Sequence, residues 1–489
     1  MEDTETYLCQ PTDPEIPVPT NFSLSTCDQI MPKVHARITS FYALPNSGPK
    51  LRRQIVDKLK DGLEKLASQV PCLAGSLEID SKTNRASLDY LGDGDGIHFL
   101  ATGVDSVRTD LPSYAALENQ RFAPWLLPKG STYPESLINA MASYGGHTRR
   151  LPASIFQVTF IDGGLILTAA LHHFVVDGPS VELVFRAWVA HCHGSSIPLL
   201  TDRGFISVAD KPSELETKAL ESALTARGCA IESTKPDPHN SWASLLSAPM
   251  KSAVIQFSRT AIEKLRDSIN QEHADVRVST SDCVQALIWT GLVRANLASG
   301  SEVNGQQDST SVFPISFRNR RIPNFPTNLI GNSFFVNSAT LPVSALAGSD
   351  GSVQAAIALR KSVESVDEDY YTTGVSWLAS LDEPTTRTWL SNPPRKLDAG
   401  FTSWAGMTPY TNWDFGFGCP QALRPPVSPI PYVVLLPTKP SSDTDDASME
   451  AVIGASEITL TALLKDDRFT HYVAATEVDF KVGQADGNS

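Results

Sequence analysis

The sequence is short of several things, and each shortage removes a class of protein. Its seven cysteines are an odd number, scattered from Cys9 to Cys419 with no CxxC pair. They do not form a disulfide framework on paper and read as reduced thiols of the cytosol. No run of about 18 uncharged apolar residues occurs, so no membrane-spanning helix is expected. The opening residues, Met1-Glu2-Asp3-Thr4-Glu5-Thr6, are acidic and polar, unlike a secretory or mitochondrial leader. A cytoplasmic location follows by default. Basic residues are outnumbered, 40 Lys and Arg against 54 Asp and Glu, for a formal charge of -14. Nucleic acid is disfavoured as a partner, because neutralising phosphates needs a basic footprint. A metal centre is also disfavoured, because His191-Cys192-His193 has no second ligand cluster to join it.

What is present is a globular composition, 41% hydrophobic and 19% charged. At 489 residues the chain exceeds one ordinary core and suggests two domains. The most informative stretch is Leu171-His172-His173-Phe174-Val175-Val176-Asp177-Gly178. Residues 155 to 161 and 165 to 171 are apolar runs joined by Asp162-Gly163-Gly164, a hairpin signal. Asp177 can cap a helix opening with Gly178-Pro179-Ser180, in which Val181, Val184, Phe185, Trp188 and Val189 follow helical spacing. His173 is therefore expected where a buried strand ends, with Asp177 across the turn. A neutral imidazole there suits a general base, whose unperturbed pKa is about 6.5.

Around this stretch the chain reads in order. Residues 1 to 20 look like an extended lead-in. Leu51, Ile55, Leu59, Leu63, Leu66 and Val70 form one apolar helical face, ending at Pro71-Cys72-Leu73-Ala74-Gly75. Residues 100 to 150 are loop-rich. Residues 194 to 250, interrupted by five prolines, read as a crossover with one polar helix from Ser213 to Ala226. The second half starts with a strand at residues 252 to 257, and Ser258 caps the helix after it. A helix then carries Cys283, Val284, Leu287, Ile288 and Leu292, followed by a polar loop at residues 298 to 310. Residues 438 to 449 form a solvated loop. A strand from Glu450 to Ala455 and a final helix through Asp466-Asp467 close the chain.

Several segments together resemble the BAHD family of acyl-CoA-dependent acyltransferases, in particular its fungal branch. They are the HxxxD pair His173 and Asp177, Leu24-Ser25 with Asp28, and the PxLAG-like segment. Ser316-Phe317-Arg318-Asn319-Arg320 leading to Gly331-Asn332, Thr402-Ser403-Trp404, and Asp414-Phe415-Gly416-Phe417-Gly418 complete the set. Ser316 and Phe417 stand where the family has Asp and Trp. The resemblance covers residues 20 to 480 and implies an α/β fold of two pseudo-symmetric chloramphenicol-acetyltransferase-like domains. The implied division is 1–195, a linker at 196–250, and 251–489, with the active site in a tunnel between the domains.

The resemblance implies transfer of an acetyl or other short acyl group from acyl-CoA, a co-substrate with no tightly bound cofactor, to a secondary-metabolite hydroxyl. It implies a ternary complex without an acyl-enzyme, and a monomer. His173 would be the base, and Asp177 would brace its loop, often through an Arg. Thr402 and the Trp404 indole would face the oxyanion, although Trp404 also reads as a core aromatic. Asp414 would pair with Arg320 or Arg318, while Gly416 and Gly418 would permit tight turns. Ser258 and Arg259 would meet the nucleotide phosphates of CoA and Thr280 its pantetheine arm; a helix cap followed by a solvated arginine is the equal alternative. No basic residue lies between Ala405 and Tyr410, so a neutral, apolar alcohol is the expected acceptor. The rivals are a free-standing condensation enzyme fed by a carrier protein, a same-fold enzyme catalysing cyclisation, and a non-catalytic scaffold.

Overall fold

The computed structural model describes residues 4–480, apart from 14–17, 81–84, 93, 135–149, 207–211, 232–248, 301–306, 319, 321, 382–394, 428–430 and 441–445. Much of the polar loop expected at 298 to 310, Asn319, and parts of the 194–250 crossover and the 438–449 loop thus lie outside the described residues.

Two mixed sheets carry the fold. The first has six strands in the order Thr4–Cys9, Ile97–Thr102, Ser154–Ile161, Gly164–His172, His35–Ala43, Ala422–Arg424. The second has seven, in the order Phe334–Pro342, Asp308–Ser316, Ala399–Ser403, Tyr432–Leu435, Ala447–Ala455, Lys251–Ser258, Val473–Val478. The hairpin expected at 155–171 is the centre of the first sheet. Ile161 pairs with Gly164 across Asp162-Gly163, and Gly163 takes a φ of 75° that glycine adopts without strain. Both strands are buried along their whole length, which is why they read as unbroken apolar runs.

The helices Pro49–Gln69 and Gly178–Cys192 share one core with the first sheet. Ile55, Leu59, Leu63 and Leu66 are buried as their spacing requires. Leu51 is not; it is 41% exposed. Arg52 turns inward instead, because its guanidinium finds the Val104 carbonyl (2.6 Å) and the Asp105 carbonyl (2.8 Å). Two other expectations fail at the termini. The opening segment is not merely a lead-in: Thr4–Cys9 pairs antiparallel with Ile97–Thr102 at the sheet edge. Among the described residues the last element is not a helix either, since Val473–Val478 follows the helices Glu457–Leu463 and Asp467–Thr470 and pairs with Lys251–Ser258. Both strands are short edge elements, which periodicity detects poorly.

Ala422–Arg424, although late in the sequence, pairs with His35–Ala43 in the first sheet. This strand stitches the two halves together. The Arg424 guanidinium donates to the Glu450 carboxylate on the second sheet (2.8 Å), with both side chains almost fully buried. Arg121 donates to Gln256 (2.7 Å) beside them. Trp125 packs against a cluster of Val254, Val434, Leu436 and Val452 on the second sheet, together with Trp404. One face of each sheet is therefore turned toward the other, and the space between them holds the candidate site.

Candidate active site

His173 directly follows the last residue of the central strand, His172, and begins the turn into the Gly178–Cys192 helix. Its backbone is held from two sides: the N–H donates to the Val34 carbonyl (2.9 Å), and its carbonyl accepts from the Asn332 amide (2.8 Å). The ring centroid lies 6.3 Å from that of Phe334. Burial lowers the imidazole pKa below the ordinary value; its own carbonyl, the Asp177 charge and Asn332 oppose this without reversing it. The ring is neutral at pH 7, as a base must be.

Asp177 does not orient that ring. It caps the helix, with Oδ1 accepting from the Ser180 N–H (2.9 Å). Oδ2 accepts from Arg318 Nη1 (2.7 Å) and the Ser333 N–H (3.0 Å). Both oxygens are thus engaged away from His173. Arg318 is equally committed, donating to Ser180 Oγ (3.0 Å) and to the carbonyls of Leu329 (2.7 Å) and Gly331 (3.0 Å). A second buried pair grips the other side of the turn. Asp28 accepts from Arg203 Nη1 (2.7 Å) and from the Asn332 backbone (3.0 Å) and side chain (2.8 Å), and Arg203 Nη2 donates to the Val175 carbonyl (3.0 Å). Sequence reasoning missed Arg203, which sits in a proline-interrupted crossover with no local signal.

The downstream segment corrects one expectation. Asp414 pairs with neither Arg318 nor Arg320; its Oδ1 accepts from the N–H groups of Gly416 (2.7 Å) and Gly418 (2.9 Å). The φ values of Gly416 and Gly418, 101° and 93°, turn those N–H groups back onto the carboxylate. Arg318 is spent on Asp177, while Arg320 donates to the Ser316 carbonyl (3.2 Å). The aromatics around these glycines clasp the first half. Trp413 stacks on Phe185 (3.9 Å), Phe415 meets Trp188 edge-on (4.6 Å), and Phe417 meets Tyr42 (5.2 Å). Glu182, also missed, joins the clasp by accepting from the Trp413 indole (3.0 Å) and the Thr408 N–H (3.0 Å). Its one signal was a carboxylate one turn beyond Gly178, on a largely apolar helix.

Thr402 is half-buried, and its register partner Val434 places it on the second sheet's inward face. The Trp404 backbone N–H donates to the Leu435 carbonyl (2.8 Å). With Gly178, Glu182, Arg318 and Met407, Trp404 lines a cavity of about 600 Å³. The residues assigned to CoA are not brought to this cavity. Ser258 caps the Arg259–Glu272 helix by accepting from the Ala261 N–H (3.1 Å), and its hydroxyl donates to the Asp446 carboxylate. Asp446 also accepts from the Thr260 N–H (2.9 Å) and hydroxyl (2.7 Å), so a carboxylate already occupies the anion position there. Thr280 lines a separate hollow of about 670 Å³ with Arg266, Arg277 and Arg360. His191 and His193 engage Gln69 and the Asp414 carbonyl (2.8 Å each). No group of three metal-ligating side chains occurs among the described residues, and no helix among them is long and apolar enough to cross a membrane.

Comparison with known proteins shows what the chain is similar to. The acyltransferase easC of Emericella nidulans is 24% identical over 499 aligned residues, covering 96% of this chain and 98% of its own. A trichothecene 3-O-acetyltransferase of Saccharomyces cerevisiae is 26% identical, covering 81% of this chain and 83% of its own. In fold, F. graminearum TRI101 complexed with coenzyme A and T-2 mycotoxin superposes with a TM-score of 0.75 at 18% identity, over 95% of this chain and 100% of the other. A family model described as the Transferase family matches residues 1–470. Most of the length is thus accounted for by one family, and the chain belongs to it, the BAHD transferases, a family of acyltransferases.

Proposed function

We propose that the protein transfers an acyl group from acyl-CoA to a hydroxyl of a secondary-metabolite acceptor, with His173 as general base. The observation that carries this reading is the desolvated, neutral His173 in a turn clamped by two buried Asp–Arg pairs. A neutral imidazole protonated on Nδ1 leaves the Nε2 lone pair for the acceptor hydroxyl. As the hydroxyl oxygen attacks the thioester carbon, Nε2 takes its proton. The tetrahedral oxyanion then collapses, the C–S bond breaks, and the CoA sulfur leaves with the imidazolium proton. Holding both substrates on one rigid turn supplies proximity without an acyl-enzyme. Thr402 and Trp404 are the proposed oxyanion donors. Asp177 acts by positioning.

On the same reading the chain divides at 1–195, 196–250 and 251–489, with Ala422–Arg424 lent to the first sheet, and works as a cytosolic monomer. Ser258, Arg259 and Thr280 remain the proposed CoA contacts, and Asp446 has to yield its place at Ser258 for them to serve. The names of the relatives and the coenzyme A in the TRI101 complex support an acyl-CoA donor. The test is thiol release from acetyl-CoA and longer acyl-CoAs with a panel of terpenoid, alkaloid and polyketide alcohols. Acceptor-dependent release that falls about 10²–10⁴-fold in His173→Ala is the expected result. Silence from every acyl-CoA in folded protein would overturn it and favour a carrier-protein donor or a non-transfer reaction.

A further inference from the structure

Resting on the transfer reaction above, we propose that Arg37 binds a carboxylate carried by one of the two co-substrates. Register partners on neighbouring strands share a face of a sheet. On the first sheet, one rung of the inward face is His98–Ile155–Ala170–Arg37, and the next ends in Thr168–Thr39–Arg424. The rung on the other side of Arg37 is His172–His35, next to His173. This face carries Arg37, Arg424, His35, His98 and His172 and, across its six strands, no Asp or Glu. Burial lowers the pKa of each of the three imidazoles, so they add no charge at pH 7 and the charge of this face is that of its two arginines.

Arg424 is neutralised by Glu450. Arg37 is not neutralised in this way: among the described residues no carboxylate pairs with it. Its guanidinium carbon instead lies 4.5 Å from the centroid of the Tyr133 ring. An arginine stays charged in such a place, and stacking on an aromatic holds its plane and leaves its fork of donors to a second partner. The residue is half-buried. Each strand residue advances about 3.4 Å, so Arg37 stands about 7 Å along its strand from the His35–His172 rung. That rung immediately precedes His173 in the chain, which sets Arg37 within the length of a small molecule of the turn that carries the proposed base. Thr39 and Thr168, whose hydroxyls are 3.2 Å apart, add polar groups on the same face. A carboxylate fits the two parallel donors of a guanidinium. A carboxylate on the acceptor would be an alternative to the neutral, apolar alcohol expected from the missing basic residue between 405 and 410.

The carboxylate can belong to the acceptor or to a dicarboxylic acyl group, and two experimental arms separate these. In the first, acetyl-CoA is paired with hydroxy acids (shikimate, 3-hydroxybenzoate) and with their methyl esters. In the second, malonyl-CoA and succinyl-CoA are compared with acetyl-CoA on the methyl esters. Binding of each acid and ester, and of each acyl-CoA, is also followed by tryptophan fluorescence, which reads Arg37 even if no turnover occurs. In one arm the wild type should prefer the charged partner about ten- to hundredfold, the range of a charge-assisted hydrogen bond. Arg37→Met should abolish that preference and Arg37→Lys restore part of it, with the melting temperature as a check on folding. No charged preference in either arm, or a preference that survives Arg37→Met in folded protein, overturns the inference. Loss of turnover alone, with Arg37-dependent binding intact, would count against the transfer reaction and not against Arg37.

Discussion

Replacing Asp177 by Asn separates a positioning carboxylate from a catalytic one. The new side chain keeps an oxygen to accept from the Ser180 N–H, so the helix cap survives. The lost oxygen faced Arg318 Nη1 and the Ser333 N–H, and an amide NH₂ in its place sets donor against donor. Breaking a buried pair by removing one charge costs about 3–5 kcal/mol. Arg318 retains Ser180 Oγ and two carbonyls, which argues for the lower end, while the stranded Ser333 N–H adds roughly 1 kcal/mol. A loss near 4 kcal/mol is a large part of the ~5–15 kcal/mol that holds a domain together. The variant should therefore melt well below wild type yet fold at low temperature. Circular dichroism would give the stability, and thiol release at 10 °C (about 15 °C below the usual reference) would give kcat/KM for the folded fraction. Activity per folded molecule should stay within roughly tenfold of wild type, far from the 10²–10⁴-fold fall expected when the base is removed. A variant as stable as wild type and as inactive as His173→Ala would refute the positioning role. In a double-mutant cycle, Arg318→Met should relieve about 2 kcal/mol of the damage, because an apolar partner leaves no charge unpaired.

Three further outcomes follow from the same geometry. Because burial lowers the His173 pKa, the neutral base persists to lower pH, so kcat/KM should begin to fall only below about pH 6.5, and Asp177→Asn should move that acid limb lower still. Burial holds His35 down to about 4, so the unfolded chain takes up its proton first; stability should drop as pH falls below about 6.5 and finish dropping near 4, by roughly 3 kcal/mol, and denaturant titrations of His35→Asn should lack that component. Gly416→Ala should cost about 1–3 kcal/mol in thermal unfolding, since φ is 101° and the Lys58 ammonium that a Cβ would meet can swing aside, leaving the backbone strain as the cost; a neutral result would mean the turn is not fixed by Asp414.

Local features of the sequence determined a good deal. Alternation of apolar runs with Asp162-Gly163 specified the central hairpin, and Asp177 with Gly178-Pro179 specified the strand-turn-helix that carries His173. The cap at Ser258 marked a helix start, because a cap is a contact between neighbours in the chain. Apolar spacing found the Pro49–Gln69 helix but misjudged Leu51, since nothing local says that Arg52 will find two carbonyls inside. What lay beyond the sequence were pairings between distant residues. Asp414 turns on its own glycines, Arg318 goes to Asp177, and Arg203 reaches Asp28 across 175 positions. The facing of the two sheets is of the same kind, because Arg424 meets Glu450 only after Ala422–Arg424 has crossed to the other half. Propensity and periodicity act over a few residues and are written in the sequence. Which buried charge meets which is settled only when the halves close, because the cost of leaving any of them unpaired is felt only inside the folded core.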